Sequence, residues 1–155
     1  MSSGITTRQA TASDFPAAQS WLSAAGLPVE DLTPDHMQHF LLTLANESPV
    51  GMIGLEEFGS VGLLRSLVVD PSVRNAGIGA RLVAALESMA ARQGVAELWL
   101  LTIDADPYFA NLGYLVTDRS SAPDVIKETA EFSSLCPGDA VLMRKCLLER
   151  SLERD

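Results

Sequence analysis

The sequence predicts an α+β domain with one mixed, mostly antiparallel sheet flanked by helices, and three observations lead there. Short apolar and β-branched runs follow one another between turn signals from residue 39 to residue 69. A long stretch of helical periodicity then covers residues 77–93. Beyond it, strand-like and short helical runs alternate as far as residue 146.

In chain order, residues 5–10 are an opening strand. Ser13 offers an N-cap ahead of Asp14 and Pro16, as helix starts favour. Phe15, Ala18, Trp21, Leu22 and Ala25 recur at helical spacing until Gly26 and the proline two residues on stop the helix. Residues 29–35 are a loop or a short second helix. Strands follow over 39–45, 50–58 and 63–69, joined by a turn at residues 46–49 and a hairpin turn at Gly59-Ser60. In the long helix Ile78, Leu82, Val83, Leu86, Met89 and Ala90 form one apolar face, and Gly94 ends it. A buried strand over 97–103, a short helix over 106–111, a strand over 114–117, a surface helix over 122–132 and a last strand over 140–146 complete the domain. The expected domain runs from 5 to 147, with 148–155 as a C-terminal tail.

A chain of 155 residues with 47% hydrophobic and 20% charged content suits one globular domain with a substantial core. No apolar run approaches the ~20 residues of a membrane-spanning helix. The first eight residues lack the basic and apolar regions of a signal peptide. These features predict a cytoplasmic protein without a membrane partner. Twenty acidic against eleven basic residues, a net charge of −9, argue against a nucleic-acid surface. Cys136 and Cys146 make neither a metal-ligand spacing nor a disulfide scaffold.

The segment Leu67-Val68-Val69 leads through Asp70-Pro71-Ser72-Val73 into Arg74-Asn75-Ala76-Gly77-Ile78-Gly79-Ala80, so a strand passes by a short turn into the long helix. The first amides of a helix lack internal acceptors, and the helix dipole adds partial positive charge beside them. Phosphate oxygens are held at such places. Gly77 and Gly79 remove side chains from the approach, and Arg74 adds a charge able to bond two oxygens at once. A nucleoside-triphosphate loop would need Gly-Lys-Ser/Thr, where this chain has Gly79-Ala80-Arg81. A dinucleotide fingerprint would need a glycine where Leu82 stands.

Arg74, Gly77 and Gly79 match in place the Arg/Gln-x-x-Gly-x-Gly/Ala coenzyme motif of the GNAT superfamily of acetyltransferases, which this sequence resembles over essentially its whole domain. The segment from Phe109 to Tyr114 is similar to the family's aromatic-x-x-x-Gly-aromatic stretch. More narrowly, residues 62–67 and 122–137 resemble acetyltransferases associated with arsenic-resistance operons, which are grouped with amino-acid N-acetyltransferases. The resemblance implies a GNAT fold whose sheet is splayed at the centre, with acetyl-CoA as cosubstrate and no metal. The backbone of Leu67 and Val69, with Val68 between them, would bond the pantetheine amides. The amides of Asn75, Ala76, Gly77, Ile78, Gly79 and Ala80 would hold the pyrophosphate, and Phe109 would border the coenzyme.

Acetyl transfer to an amine needs a neutral nitrogen near the thioester, a route for its proton and a donor for the leaving thiolate. The family's general-base glutamate falls at Leu63 here, and its general-acid tyrosine at Phe109. Tyr108 is adjacent, but one residue on a helix turns about 100° away. By strand alternation Arg65 shares a face with Leu63 and Leu67, where it suits a substrate carboxylate or another oxyanion; a surface or ion-paired arginine is the equal alternative. Glu56 is the expected carboxylate for the amine, directly or through water, while Glu57 is a solvent-facing one. His36 and His39 lack further ligands for a metal, Glu131 and Ser134 border the acceptor pocket by subgroup similarity alone, and Trp21 and Trp99 are core aromatics.

The expected function is therefore N-acetylation of a small amino-acid-like metabolite or toxin, with an arsenic-resistance context and a homodimer both open. The rival is a coenzyme-binding module that has lost catalysis. Protein N-acetylation is a third reading, disfavoured because the helix expected over 122–132 would narrow a peptide groove.

Overall fold

A computed structural model describes residues 5–27, 29–129, 132 and 140–147, with the backbone alone for 74–76. Seven strands are formed: β1 (Ile5–Gln9), β2 (Phe40–Ala45), β3 (Ser48–Phe58), β4 (Val61–Val69), β5 (Glu97–Thr102), β6 (Leu115–Thr117) and β7 (Val141–Cys146). The helices are α1 (Phe15–Ala24), α2 (Ile78–Arg92), α3 (Asp106–Asn111) and α4 (Asp124–Lys127). The strand order is β1-β2-β3-β4-β5-β7-β6, antiparallel except where β4 meets β5 in parallel, Val61–Leu63 against Glu97–Trp99. This is the expected α+β fold. No described helix is long and apolar enough to cross a membrane.

Packing divides the chain into two compact units. The first holds residues up to Glu56 and from Arg65 to Leu86; the second holds Glu57–Leu64 and everything from Glu87 onward. The core of the first unit gathers Leu22, Leu32, Met37, Phe40, Leu42 and Met52, with Trp21 and Val68 half-buried against it. Glycines in β3 permit close approach. A Cβ at Gly54 would fall inside the Phe40 ring, and one at Gly51 would stand 2.9 Å from Ile78 Cγ2 and Leu82 Cδ1. Gly51 therefore lets the first turn of α2 lie tightly on β3. The second unit's core joins Leu63, Trp99, Ala122, Ile126 and Leu142.

Several expectations are corrected. Ser13 does not cap α1; its hydroxyl meets Thr11 Oγ1, and the Asp14 carboxylate reaches back to the Thr11 N–H at 2.8 Å. A tight 3-10 turn, Ala12–Asp14, thus precedes the helix. The loop before β2 contains another 3-10 segment, Pro34–His39, which delays the strand by one residue. The β2–β3 turn is Asn46-Glu47 alone, both with positive φ (51° and 72°), and Ser48 and Pro49 already belong to β3. Both turn residues lie in the left-handed region that two-residue hairpins of this hand require. Strand β4 begins at Val61, two residues early, because Gly59 (φ 73°) completes the hairpin turn with Ser60. Of the surface helix expected over 122–132, Asp124–Lys127 form α4, and it is not a surface one: Ile126 is fully buried, with Ala122 just ahead of it also in the core. Glu131, Ser134 and Cys136, like the tail 148–155, lie outside the described residues.

Candidate functional site

Strand β4 is extended except at Ser66, whose φ of 63° places a non-glycine residue in the left-handed region. That conformation stores roughly 1–3 kcal/mol of strain, and such residues persist only where their surroundings over-determine them. It also breaks the alternation of side chains. Arg65 and Leu67 therefore need not share a face, and it is Val68 that packs on the first core. Leu67, Val68 and Val69 are half-buried.

After Val69 the chain is pinned by Asp70, whose N–H donates to Val50 O at 2.8 Å. Its carboxylate accepts from the Ser72 N–H and hydroxyl, both at 2.9 Å, and these bonds hold its pKa below the usual carboxylate range. Pro71–Ala76 form a 3-10 segment kinked at Val73, whose φ of −122° and ψ of 20° are not helical. Gly77 then takes φ 76°, and α2 starts at Ile78. Its first 13-atom ring is closed by Arg81 N–H on Gly77 O at 3.1 Å. The amides of Ile78, Gly79 and Ala80 precede that bond and have no acceptor in the helix. Leu67 through Ala80 are thus one continuous piece of the first unit, a strained strand end feeding a helix N-terminus suited to an anion.

Arg65 and Glu56 are brought together, with a partner that periodicity did not reveal. Arg65 is wholly buried at its side chain, and its Nη1 lies 2.5 Å from Glu56 Oε2 and 2.6 Å from Asp31 Oδ2. Nη2 donates to Asp31 Oδ1 at 2.9 Å, making that pair bidentate, and Nε donates to Ser66 Oγ at 3.2 Å. Of the two alternatives for Arg65, a substrate carboxylate or an ion pair, the structure has the ion pair: the guanidinium is engaged by two carboxylates of its own chain. Asp31 and Glu56 retain 19% and 14% side-chain exposure, so the solvent-facing edge of this triad is acidic.

Burial pushes the Asp31 pKa up, but the hydrogen bonds and charge of Arg65 outweigh it and leave the carboxyl below its ordinary value. A lowered folded-state pKa contributes stability above the unfolded value of about 3.9, lost as pH falls through the folded value. Urea midpoints measured from pH 6 down to pH 2 are expected to fall more steeply for the natural chain than for Asp31→Asn. Equal acid dependence would show that the ion pair adds nothing.

In the second unit, Phe109 is buried and packs edge-to-face on Tyr108 (centroids 5.3 Å) and Tyr114 (5.7 Å). Behind it, Tyr114 Oη donates to Glu87 Oε2 at 2.9 Å, and Lys145 Nζ pairs with the same carboxylate at 3.0 Å while donating to Leu112 O at 2.8 Å. Burial, with Glu87 beside it, pushes the Tyr114 phenol far up. This buried network ties the Phe109–Tyr114 segment to α2 and β7, so Tyr114 serves structure. Leu63 is fully buried, as is most of Trp99. Tyr108 stays 41% exposed, its phenol pushed up by burial of the remainder.

The histidines have local roles: His36 Nδ1 accepts the Thr33 N–H at 3.0 Å, capping the 3-10 segment that His39 ends. Among the described residues no three His, Cys, Asp or Glu side chains are placed to hold a metal. Glu57 is half-buried, and Cys146 is a free thiol in β7.

The model of the acetyltransferase (GNAT) family matches residues 7–114. No curated protein matches the chain. Among solved structures, N-acetylglutamate synthase from Neisseria gonorrhoeae, complexed with coenzyme A and N-acetyl-glutamate, is similar at 19% identity and a TM-score of 0.80 over 95% of this chain. The chain spans only 36% of that enzyme. Rv2747 from Mycobacterium tuberculosis, solved with CoA, has 20% identity and a TM-score of 0.75, covering 91% of this chain and 98% of its own. PaiA N-acetyltransferase from Thermoplasma acidophilum, complexed with coenzyme A, has 19% identity and a TM-score of 0.63, covering 94% and 99%. At these identities the likeness establishes the fold.

Proposed function

Because the chain belongs to the acetyltransferase (GNAT) family, with acetyl-CoA as cosubstrate, we propose that it transfers the acetyl group to the amine of a small metabolite. The coenzyme's diphosphate sits against the amides of residues 75–80, with Arg74 supplying charge, and the pantetheine amides bond the backbone of Leu67 and Val69. The observation that carries this reading is the left-handed Gly77 between the 3-10 segment and α2. It redirects the chain just ahead of the first helical amides, which have no acceptor within the helix, with no side chain at the bend.

Glu56 is the carboxylate that meets the amine or the water relaying its proton. Its Oε2 is fixed by Arg65, which holds the group in one place. Neither Leu63 nor Phe109 has an acidic proton, so the thiolate takes its proton from water or from the cationic nitrogen of the tetrahedral adduct, which becomes the amide. An amino-acid-like acceptor is the second reading, favoured by the N-acetyl-glutamate complex of a structural neighbour. It requires the acceptor's carboxylate to find a partner other than Arg65, or Asp31 to leave. The arsenic-resistance context rests on the subgroup likeness of residues 62–67 and 122–137, and on nothing in the geometry.

Mixing the full chain with acetyl-CoA and a panel of amines, amino acids and arsonate-bearing amines, and following free thiol, is expected to give acceptor-dependent release. Coenzyme binding by calorimetry without release on any acceptor would instead support the non-catalytic module.

A further inference from the structure

We infer that Asp31 is the residue that sets the acceptor class, selecting amines that carry no carboxylate beside the reacting nitrogen. This rests on the acetyl-transfer reading above. Arg65 is the cation of the triad, and its side chain has no solvent exposure. Asp31 grips it through both carboxylate oxygens, at 2.6 and 2.9 Å, the bidentate geometry that an incoming carboxylate would need for itself. Asp31 is also anchored. It sits in a turn in which Leu32 N–H donates to Val29 O at 3.1 Å, and Leu32 itself is buried in the first core. A substrate carboxylate would have to break two charge-assisted hydrogen bonds and lift a packed turn to reach the guanidinium.

The charge points the same way. Among the described residues, two carboxylates meet one guanidinium, leaving one negative charge in excess, and only the carboxylates reach solvent. Glu56, the group proposed to meet the amine, lies on that edge. An ammonium is attracted there and a carboxylate repelled; selection works as much by the repulsion as by the attraction. Asp31 acts through Arg65 and Glu56 as a specificity-determining residue and takes no part in proton transfer.

n-Pentylamine and norleucine test this, since each has one amine, they share a carbon skeleton and they differ by the carboxylate beside that amine. The natural chain is expected to favour n-pentylamine by about tenfold or more in kcat/KM, a ratio within reach of a single pocket contact. Asp31→Asn should narrow that ratio about tenfold, chiefly through the two KM values, and Asp31→Glu should restore it. A natural chain that prefers norleucine, or a ratio unmoved in a folded Asp31→Asn variant, overturns the inference. The preference of the natural chain decides the matter even if Asp31→Asn does not fold. Turnover of neither compound with acetyl-CoA still bound by calorimetry refutes the acceptor class alone; absence of coenzyme binding removes the underlying reading as well.

Discussion

Gly77→Val is expected to weaken acetyl-CoA binding at least ~100-fold in a calorimetric titration while the chain stays folded. Among the described residues, chain neighbours aside, no atom lies within 4 Å of where a Cβ would stand, so the Cβ meets no packing clash. The penalty is conformational. At φ 76° an L residue is disfavoured by about 1–2 kcal/mol, and a β-branched one most of all. The loop relieves that strain by turning the following amides away, and each hydrogen bond lost to a charged group forfeits a further ~1.5–3 kcal/mol. Losing one or two such bonds reaches the ~2.7 kcal/mol that a 100-fold loss represents. Gly77→Asn is the informative companion, because asparagine tolerates the left-handed region; it should keep stability and lose less affinity. Normal affinity in a folded valine variant would move the diphosphate elsewhere.

Arg65→Met is the second large effect, and it falls on stability. Removing the guanidinium leaves the Asp31 and Glu56 carboxylates together in a mostly buried place without the charge that pairs them. Breaking a buried ion pair from one side typically costs about 3–5 kcal/mol. For a chain of this size that lowers Tm by roughly 10 °C or more. Arg65→Lys should recover only part of the loss, since a point charge cannot bond Asp31 bidentately and Glu56 at once. The fraction unfolded is best followed by urea titration with circular dichroism. A change below ~1 kcal/mol would place the triad among weak surface pairs and deprive Glu56 of its fixed position.

Much of the fold was legible because it rests on local chemistry. The apolar face of α2 and its entry from residues 74–77 are matters of spacing and of glycine, and Gly77 has the backbone angle its composition suggests. The short helix over 106–111 was likewise readable, from its Pro107 near the start and Gly113 after the end. What escaped depended on contacts between distant residues. Asp31 lies in a loop 34 residues before Arg65, with no period linking them. The left-handed Ser66 has no signature in its residue type. The stretch over 122–132 was expected on the surface, yet its Ala122 and Ile126 pack in a core with Leu63 of β4, Trp99 of β5 and Leu142 of β7. Gly51 and Gly54 did carry a signal: a glycine inside a strand marks close approach of a neighbour, here α2 and the Phe40 ring.

Arg65 shows the same division more sharply. Of its two expected states, facing a substrate or ion-paired, its hydrogen bonds to Asp31 and Glu56 give the second, which shifts attention from the cation to the carboxylates around it.

A crystal of the chain grown with coenzyme A tests the account most directly. The account predicts diphosphate oxygens within hydrogen-bonding distance of backbone nitrogens between Asn75 and Ala80. A diphosphate bound well away from the start of α2 would contradict it.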